Sequence, residues 1–346
     1  MKIKQSVLAA AVTAALALGV SQQAAAYVYA ASGLNMQDLI ISINPGAGGS
    51  VGGFNFNFNL TNTATLNGVS GIATGTCFGT PGSNNCGVSP VLDANAVNAP
   101  GSTVVTRANN ATTANSFTFY GDTPANLAGN WSNSDSVIYT AELVNGLPSS
   151  TNQIAESLIS NSGAAAANAE IKSTTSFTFT FQVTGSSATL DLSFLADPDM
   201  RAAIFGEAPG AYQAQANMNT SFTLQKDGGG GFINWNPQGT VGVNDCIAAG
   251  LGLTCVEMAG TDTEDLNVNV GTSTNGTAAD SSWGPGAYGL GSYGINTAGL
   301  SAGTWTLTLN ALTSTLVTRV PEPGMLALMG IGLLGLVVSA RRKNHV

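Results

Sequence analysis

Strict alternation of apolar and small polar residues is what most restricts the folds open to this chain. It runs through FNFNFNL from Phe54, SFTFY from Ser116, SFTFTFQV from Ser176, ATLDLSFL from Ala188, TSFTL from Thr220 and TWTLTLNALTSTLV from Thr304. A period of two puts the apolar side chains on one face of a strand and the hydroxyls and amides on the other. Each segment therefore needs a partner layer for one face and leaves the other to water. Gly, Asn and Asp clusters between the segments supply turns. In LQKDGGGGFIN the run from Asp227 to Gly231 predicts a hairpin loop, where glycine tolerates positive φ. No helix or Lys-Ser/Thr pair follows it, so it does not read as a phosphate cradle.

Two stretches break the alternation and predict short helices. From Asn152 to Ser160, Ile154, Ala155, Leu158 and Ile159 fall on one helical face. Pro198 behind Asp197 reads as a first-turn proline after a cap, leading into DMRAAIF. No repeat period is visible, which disfavours a solenoid or propeller. The expected fold is all-β: a β-sandwich or jelly-roll-like ectodomain of about 290 residues, with one or two short helices covering an open end of a sheet.

Both chain ends differ from this pattern. Residues 1–26 read as a signal peptide: Lys2 and Lys4, an apolar run from Val7 to Val20, and Ala24-Ala25-Ala26 as an A-x-A site with cleavage before Tyr27. The exported domain is then 27–318, and 319–346 is a separate C-terminal segment. Charged residues make up 8% of the chain, against roughly 25% in ordinary globular proteins. Between Tyr27 and Thr318 there are 4 basic residues (Arg107, Lys172, Arg201, Lys226) and 18 acidic ones, a net of −14. With no basic stripe to neutralise phosphates, nucleic acid is excluded as a partner. The cysteines form two pairs of identical C-x8-C spacing, Cys77 with Cys86 and Cys246 with Cys255. In an oxidising compartment these predict two loop-closing disulfides; the spacing is too wide for zinc knuckles.

The segment VPEPGMLALMGIGLLGLVVSARRKNHV closes the chain. Its 16 uncharged residues from Met325 to Ala340 precede Arg341, Arg342 and Lys343. As a helix this run reaches ~24 Å against a hydrocarbon core of ~30 Å, a marginal transmembrane span. The basic tail, 341–346, stays cytoplasmic by the positive-inside rule and leaves the acidic domain outside. Pro321 and Pro323 remove two backbone donors and hold the chain from Val320 extended, as a processing protease requires. Together, Val320-Pro321-Glu322-Pro323, a single transmembrane helix over 325–340 and the basic tail resemble the PEP-CTERM sorting signal. That resemblance implies a Gram-negative bacterium making exopolysaccharide. Its inner-membrane exosortase recognises Pro321-Glu322-Pro323 and removes the helix, releasing the protein to the cell surface or extracellular matrix, where several such proteins contribute to biofilm. The stretch from Ser176 through LSFLADPDMRAAI to FINWNPQG is also similar to an ectodomain type of PEP-CTERM proteins whose activity is unassigned.

Candidate chemistry in the exported part is sparse. The single histidine, His345, lies beyond the apolar run, so histidine-based catalysis and metal binding are not expected in the domain. Asp197 with Asp199, and Asp262 with Glu264 and Asp265 in TDTEDLN, are the acidic clusters. Calcium takes about six to eight oxygen ligands from such loops, and the second cluster is its candidate site. Neither matches an EF-hand or RTX repeat, and no other cofactor is expected. Trp131, Trp235, Trp283 and Trp305 are the candidate sugar platforms. Trp305 reads as core, while Trp283 shares a Gly-rich loop with Tyr288 and Tyr293. The expected function is a non-catalytic surface or matrix protein that meets exopolysaccharide or other matrix proteins. A calcium-dependent carbohydrate-binding module is the alternative, and a glycan hydrolase with paired carboxylates the third.

Overall fold

The alternating segments form long strands in a computed structural model that describes residues 27–80, 83–84, 91–93, 97–105, 119–122, 126–139, 149–160, 167–185, 187–206, 211–240, 242–250, 252–274, 279–283 and 290–320. In chain order the strands are β1 Tyr27–Asn44, β2 Ser50–Leu66, β3 Val69–Thr80, β4 Ser83–Asn84, β5 Val91–Asp93, β6 Val97–Asn98, β7 Asn130–Tyr139, β8 Ser149–Ser160 and β9 Ala167–Thr184. They continue with β10 Ala188–Phe205, β11 Ala211–Lys226, β12 Phe232–Trp235, β13 Cys246–Ala249, β14 Thr254–Glu257, β15 Asn269–Thr274, β16 Ala279–Trp283, β17 Gly291–Leu300 and β18 Gly303–Val320. Pairing makes two antiparallel sheets. The first runs β14-β17-β10-β1-β8-β7-β5, with β16 beside β17 on β10 and β6 on β7. The second runs β13-β12-β11-β18-β9-β2-β3-β4, with β15 on β11. The sheets pack face to face: β1 lies over β18 and β11, β8 over β9 and β18, β7 over β2, and β10 over β11.

Period-two patterning decides which face goes inside. In β10, Leu190, Leu192, Phe194, Ala196, Pro198, Met200 and Ala202 are buried, and the residues between them are partly exposed. Phe194 stacks on Tyr293 of β17 at 4.9 Å and, across the sandwich, on Phe222 of β11 at 5.1 Å; Trp235 closes the group 4.9 Å from Phe222. Phe58 and Phe177 form a second stack at 4.5 Å. Each such burial stabilises the fold by about 1.5–3 kcal/mol.

Toward β7 and β8 the interior turns polar; several of its groups pair across the sandwich, while Asn152 Oδ1 and Gln153 Nε2 of β8 are buried without a hydrogen-bond partner. Asn62 Oδ1 accepts from Ser134 Oγ at 3.1 Å and Ser136 Oγ at 3.0 Å; Ser157 meets Thr315 at 2.8 Å, and Thr175 Oγ1 donates to Gln153 Oε1 at 2.9 Å. These bonds cross between the sheets, satisfying groups that would be costly to bury unpaired.

Neither expected helix forms. The 152–160 segment lies in β8, between β1 and β7, and everything from Thr151 to Ile159 is buried. Its apolar residues serve two faces: Ile159 enters the main core, while Leu158 packs outside it with Tyr29, Ala31, Val105 and Trp131. A strand covered on both faces loses its alternation, and the remaining spacing imitates a helix. Asp197 caps nothing, and Pro198 sits inside β10 opposite Leu34. On the other side, pairing with β17 ends at Ala196 and pairing with β16 starts at Met200. The proline falls in that gap, where a lost N–H costs least. The strand expected over 116–120 ends otherwise as well: Phe119 is irregular and Tyr120–Asp122 is a 3₁₀ turn, while 116–118 lie outside the described residues.

This turn is fastened by a buried carboxylate. Glu156, on the outer face of β8, accepts from Tyr29 Oη at 2.5 Å, the Tyr120 amide at 2.9 Å and the Gly121 amide at 3.1 Å. The Asp227–Gly231 hairpin loop forms as expected, with Gly228, Gly229 and Gly230 at positive φ. The expected signal peptide, 1–26, and the 325–340 apolar run lie outside the described residues, and among the described residues no helix is long and apolar enough to cross a membrane.

Candidate metal centre

The chain between Trp235 and Glu257 leaves one sheet and joins the other. β13 ends the second sheet beside β12, and β14 ends the first beside β17. The disulfide between Cys246 and Cys255, with Cα atoms 5.7 Å apart, therefore staples the two layers at one edge of the sandwich. Asn244 reinforces the joint. Its Nδ2 donates to the carbonyls of Cys255 at 3.0 Å and Cys246 at 3.4 Å, and its Oδ1 accepts from the amides of Glu257 at 3.2 Å and Cys246 at 3.4 Å.

Three carboxylates converge on this joint. One oxygen from each of Asp245, Glu257 and Asp262 lies within 4.8 Å of the other two. Glu257 Oε1 is held by Trp235 Nε1–H at 2.6 Å and by the Asp245 amide at 3.2 Å. Asp262 is fully buried, with φ at 59°. Its amide donates to the Ser292 carbonyl at 2.7 Å, and its Oδ1 accepts from the Gly239 amide at 3.1 Å. Gly239 must be glycine: φ is 71°, and a Cβ there would come within 2.4 Å of the Asp265 nitrogen. Oδ2 of Asp262 and Oδ2 of Asp245 are both buried without a hydrogen-bond donor.

The electrostatics follow from that crowding. Burial raises the Asp262 carboxyl pKa, the Gly239 amide opposes the rise, the Asp245 charge adds to it, and the Gln238 and Thr240 amides lower it again. Glu257 is likewise raised by burial, lowered by the Trp235 hydrogen bond and raised again by Asp262. Among the described residues the ion pairs are those of Arg201 with Asp280 and Asp122, on another part of the first sheet. At about 5 Å and an effective dielectric near 20, two like charges repel by roughly 3 kcal/mol, and no described cation offsets the three.

Of the expected calcium ligands, the structure brings Asp262 into this cluster and leaves the other two outside it. Asp265 Oδ1 accepts the Asn267 amide at 2.7 Å. Glu264 is 6% exposed, and its carboxyl is pushed up to about 7 by burial and then by Asp197 and Asp199. Asp197 and Asp199 project from one face of β10. Burial, then Asp197 and Asp122, raises Asp199 to about 6. Asp245 and Glu257 escaped the sequence reading, although they flank the cysteine pair as D-C-x8-C-x-E.

The remaining predicted residues divide by position. Ala24, Ala26, Cys86, Pro321, Glu322, Pro323, Arg341, Arg342 and Lys343 lie outside the described residues. Tyr27 begins β1 and stacks on Phe205 at 4.5 Å. Cys77 is buried and disulfide-bonded. Val320 ends β18, paired with Ala211 and 54% exposed. Trp131, Trp235 and Trp305 are buried, with their N–H groups given to Asn126, Glu257 and Ser301. Tyr293 is buried too, its hydroxyl on the Glu264 carbonyl at 2.9 Å. The Trp283 side chain and Tyr288 lie outside the described residues.

The family described as the PEP-CTERM protein-sorting motif matches residues 319–343. No curated protein matches the chain. Among solved structures, one titled "Structure of infectious bursal disease virus Gx strain" aligns with 93% of this chain and 74% of that one, at 10% identity and a TM-score of 0.10, too slight a likeness to bear on the fold. The chain thus carries a C-terminal PEP-CTERM sorting motif.

Proposed function

We propose that this is an exported surface or extracellular-matrix protein with a structural, adhesive role, delivered in a Gram-negative host by exosortase processing near Pro321–Pro323. The observation that carries the reading is the sorting motif over 319–343. Its first two residues, Arg319 and Val320, are the last two of β18, so the folded domain and its address are contiguous. Before processing, the apolar run tethers the domain to the inner membrane; afterwards the domain is free to reach the matrix.

The partner is exopolysaccharide or another matrix protein, and the role is non-catalytic. Two observations support this. The domain is acidic, which disfavours polyanionic nucleic acid. The outward face of the second sheet carries Asn55, Asn57, Asn59, Thr178, Thr306 and Thr308, neutral amides and hydroxyls able to exchange hydrogen bonds with sugars. A calcium-dependent carbohydrate-binding module is the second reading, favoured by the Asp245, Glu257 and Asp262 cluster.

Intact mass and C-terminal peptide mapping of the protein from its host, in surface and medium fractions, test the processing. The expected mature chain begins at Tyr27 and ends near Glu322. A chain still ending at Val346 in the membrane fraction overturns it. For the role, deletion of the protein should reduce cell aggregation. Unchanged aggregation, with no co-sedimentation of the protein with host polysaccharide, refutes a matrix function.

A further inference from the structure

We propose that Asp245, Glu257 and Asp262 form a calcium site that joins the two sheets at their disulfide-linked edge. The inference rests on this geometry alone and stands whatever becomes of the tail. Asp245 immediately precedes β13 in the second sheet, Glu257 ends β14 in the first, and Asp262 comes from the segment that follows. One cation bound by all three would span both layers.

Four features point to a ligand rather than to three solvated acids. The carboxylate oxygens lie within 4.8 Å of one another, close enough to share one ion. Asp262 is fully buried; the backbone amides of Gly239, Gln238 and Thr240 act on its carboxylate, with Gly239 bonded to Oδ1, and Oδ2 is buried with no donor at hydrogen-bond geometry. Buried carboxylate oxygens without donors are otherwise rare, because desolvation is uncompensated. No ion pair to these carboxylates occurs among the described residues. The frame is also set in advance, by the disulfide, the four hydrogen bonds of Asn244 and the Trp235–Glu257 bond.

The donor set selects the metal. All the candidate ligands are oxygens, and the neighbouring thiols are locked in a disulfide, which disfavours zinc and copper. Calcium accepts irregular geometry and mixes carboxylates with carbonyls and water, whereas magnesium demands a near-ideal octahedron. A partly open site of this charge belongs with the weaker extracellular calcium modules, with dissociation constants of about 10⁻⁴ to 10⁻³ M.

Trp235 makes the site directly readable, since its indole touches Glu257 and can sensitise Tb³⁺ held there. The test uses the full-length protein, titrated with Tb³⁺ and then with competing Ca²⁺, alongside calorimetry and melting with Ca²⁺ or a chelator. Expected are Trp-sensitised Tb³⁺ emission displaced by Ca²⁺, one equivalent of Ca²⁺, and a melting temperature that rises with Ca²⁺. Asp262→Asn should weaken binding about tenfold or more. Because that buried change can disturb folding, Asp245→Asn, at a partly exposed position, serves as the second variant and should also weaken binding. Asp199→Asn, elsewhere on the first sheet, should leave the affinity unchanged. Absence of sensitised emission and of any melting shift up to about 10 mM Ca²⁺ overturns the proposal. So does unchanged affinity in Asp245→Asn, which would place the binding on diffuse surface acidity.

Discussion

Replacing Cys246 and Cys255 together by alanine should destabilise the domain by an amount the loop itself sets. The disulfide closes a sequence separation of 9 residues. Cross-linking a loop of that size removes about 2.5 kcal/mol of chain entropy from the unfolded state at 25 °C. In a domain this large, that corresponds to a fall in melting temperature of about 4–8 °C. Calorimetry of the non-reduced parent and the double variant measures it. The same experiment with Asn244→Ala, alone and in combination, separates the covalent staple from the hydrogen-bonded one. Both act between the same two segments, so their effects should be less than additive. A fall below 1 °C would refute the reasoning, because Asn244 would then hold the edge unaided. A fall much beyond about 12 °C would refute it in the other direction, making the staple responsible for the union of the sheets rather than for one loop.

Two other outcomes follow from the interior and from the acidic face. Phe194→Ala removes the ring that contacts Tyr293 in its own sheet and Phe222 in the other; urea unfolding should report a loss of about 3–5 kcal/mol, and a loss under 1 kcal/mol would mean that the aromatic group does not couple the layers. Asp199 holds its proton more tightly in the folded chain, with a pKa of about 6 against an ordinary 3.8. Its contribution to stability is thus full below about pH 4 and lost as pH rises through about 6. After allowance for solvent screening at a partly exposed side chain, Asp199→Asn should stabilise the protein at pH 7 by about 1–2 kcal/mol and flatten its stability profile between pH 4 and 6; an unchanged profile would contradict the assignment.

What the sequence disclosed depended on whether a segment keeps one face in water. β2, β9, β10, β11 and β18 do, and FNFNFNL, SFTFTFQV, ATLDLSFL, TSFTL and TWTLTLNALTSTLV were legible as strands for that reason. β8 does not: with Leu158 under the outer layer and Ile159 in the main core, burial on both sides erased its period. Pro198 misled because a proline's tolerance depends on its neighbours, and the interruption between β17 and β16 is a property of the sheet. Cys246 and Cys255 paired as their spacing suggested. The acidic site was legible only in part: TDTEDLN placed three carboxylates together along the chain, while the fold kept Asp262 and replaced Glu264 and Asp265 with Asp245 and Glu257. Proximity along the chain is a poor guide to convergence, and the flanks of a disulfide were the better one here.

The two terminal strands occupy interior places. β1, which begins at Tyr27, lies between β10 and β8 in the first sheet; β18, whose last two residues open the sorting motif, lies between β9 and β11 in the second; and the two pack on each other across the sandwich. For a chain threaded through a membrane from its N-terminus, the strand that fills the middle of the second sheet is the last to arrive. Until it does, β9 and β11 have no partner between them, and the edges they show each other are bare backbone. On the proposed export route the second sheet can be completed only once the chain has emerged as far as Val320, the residue next to the proline-flanked glutamate.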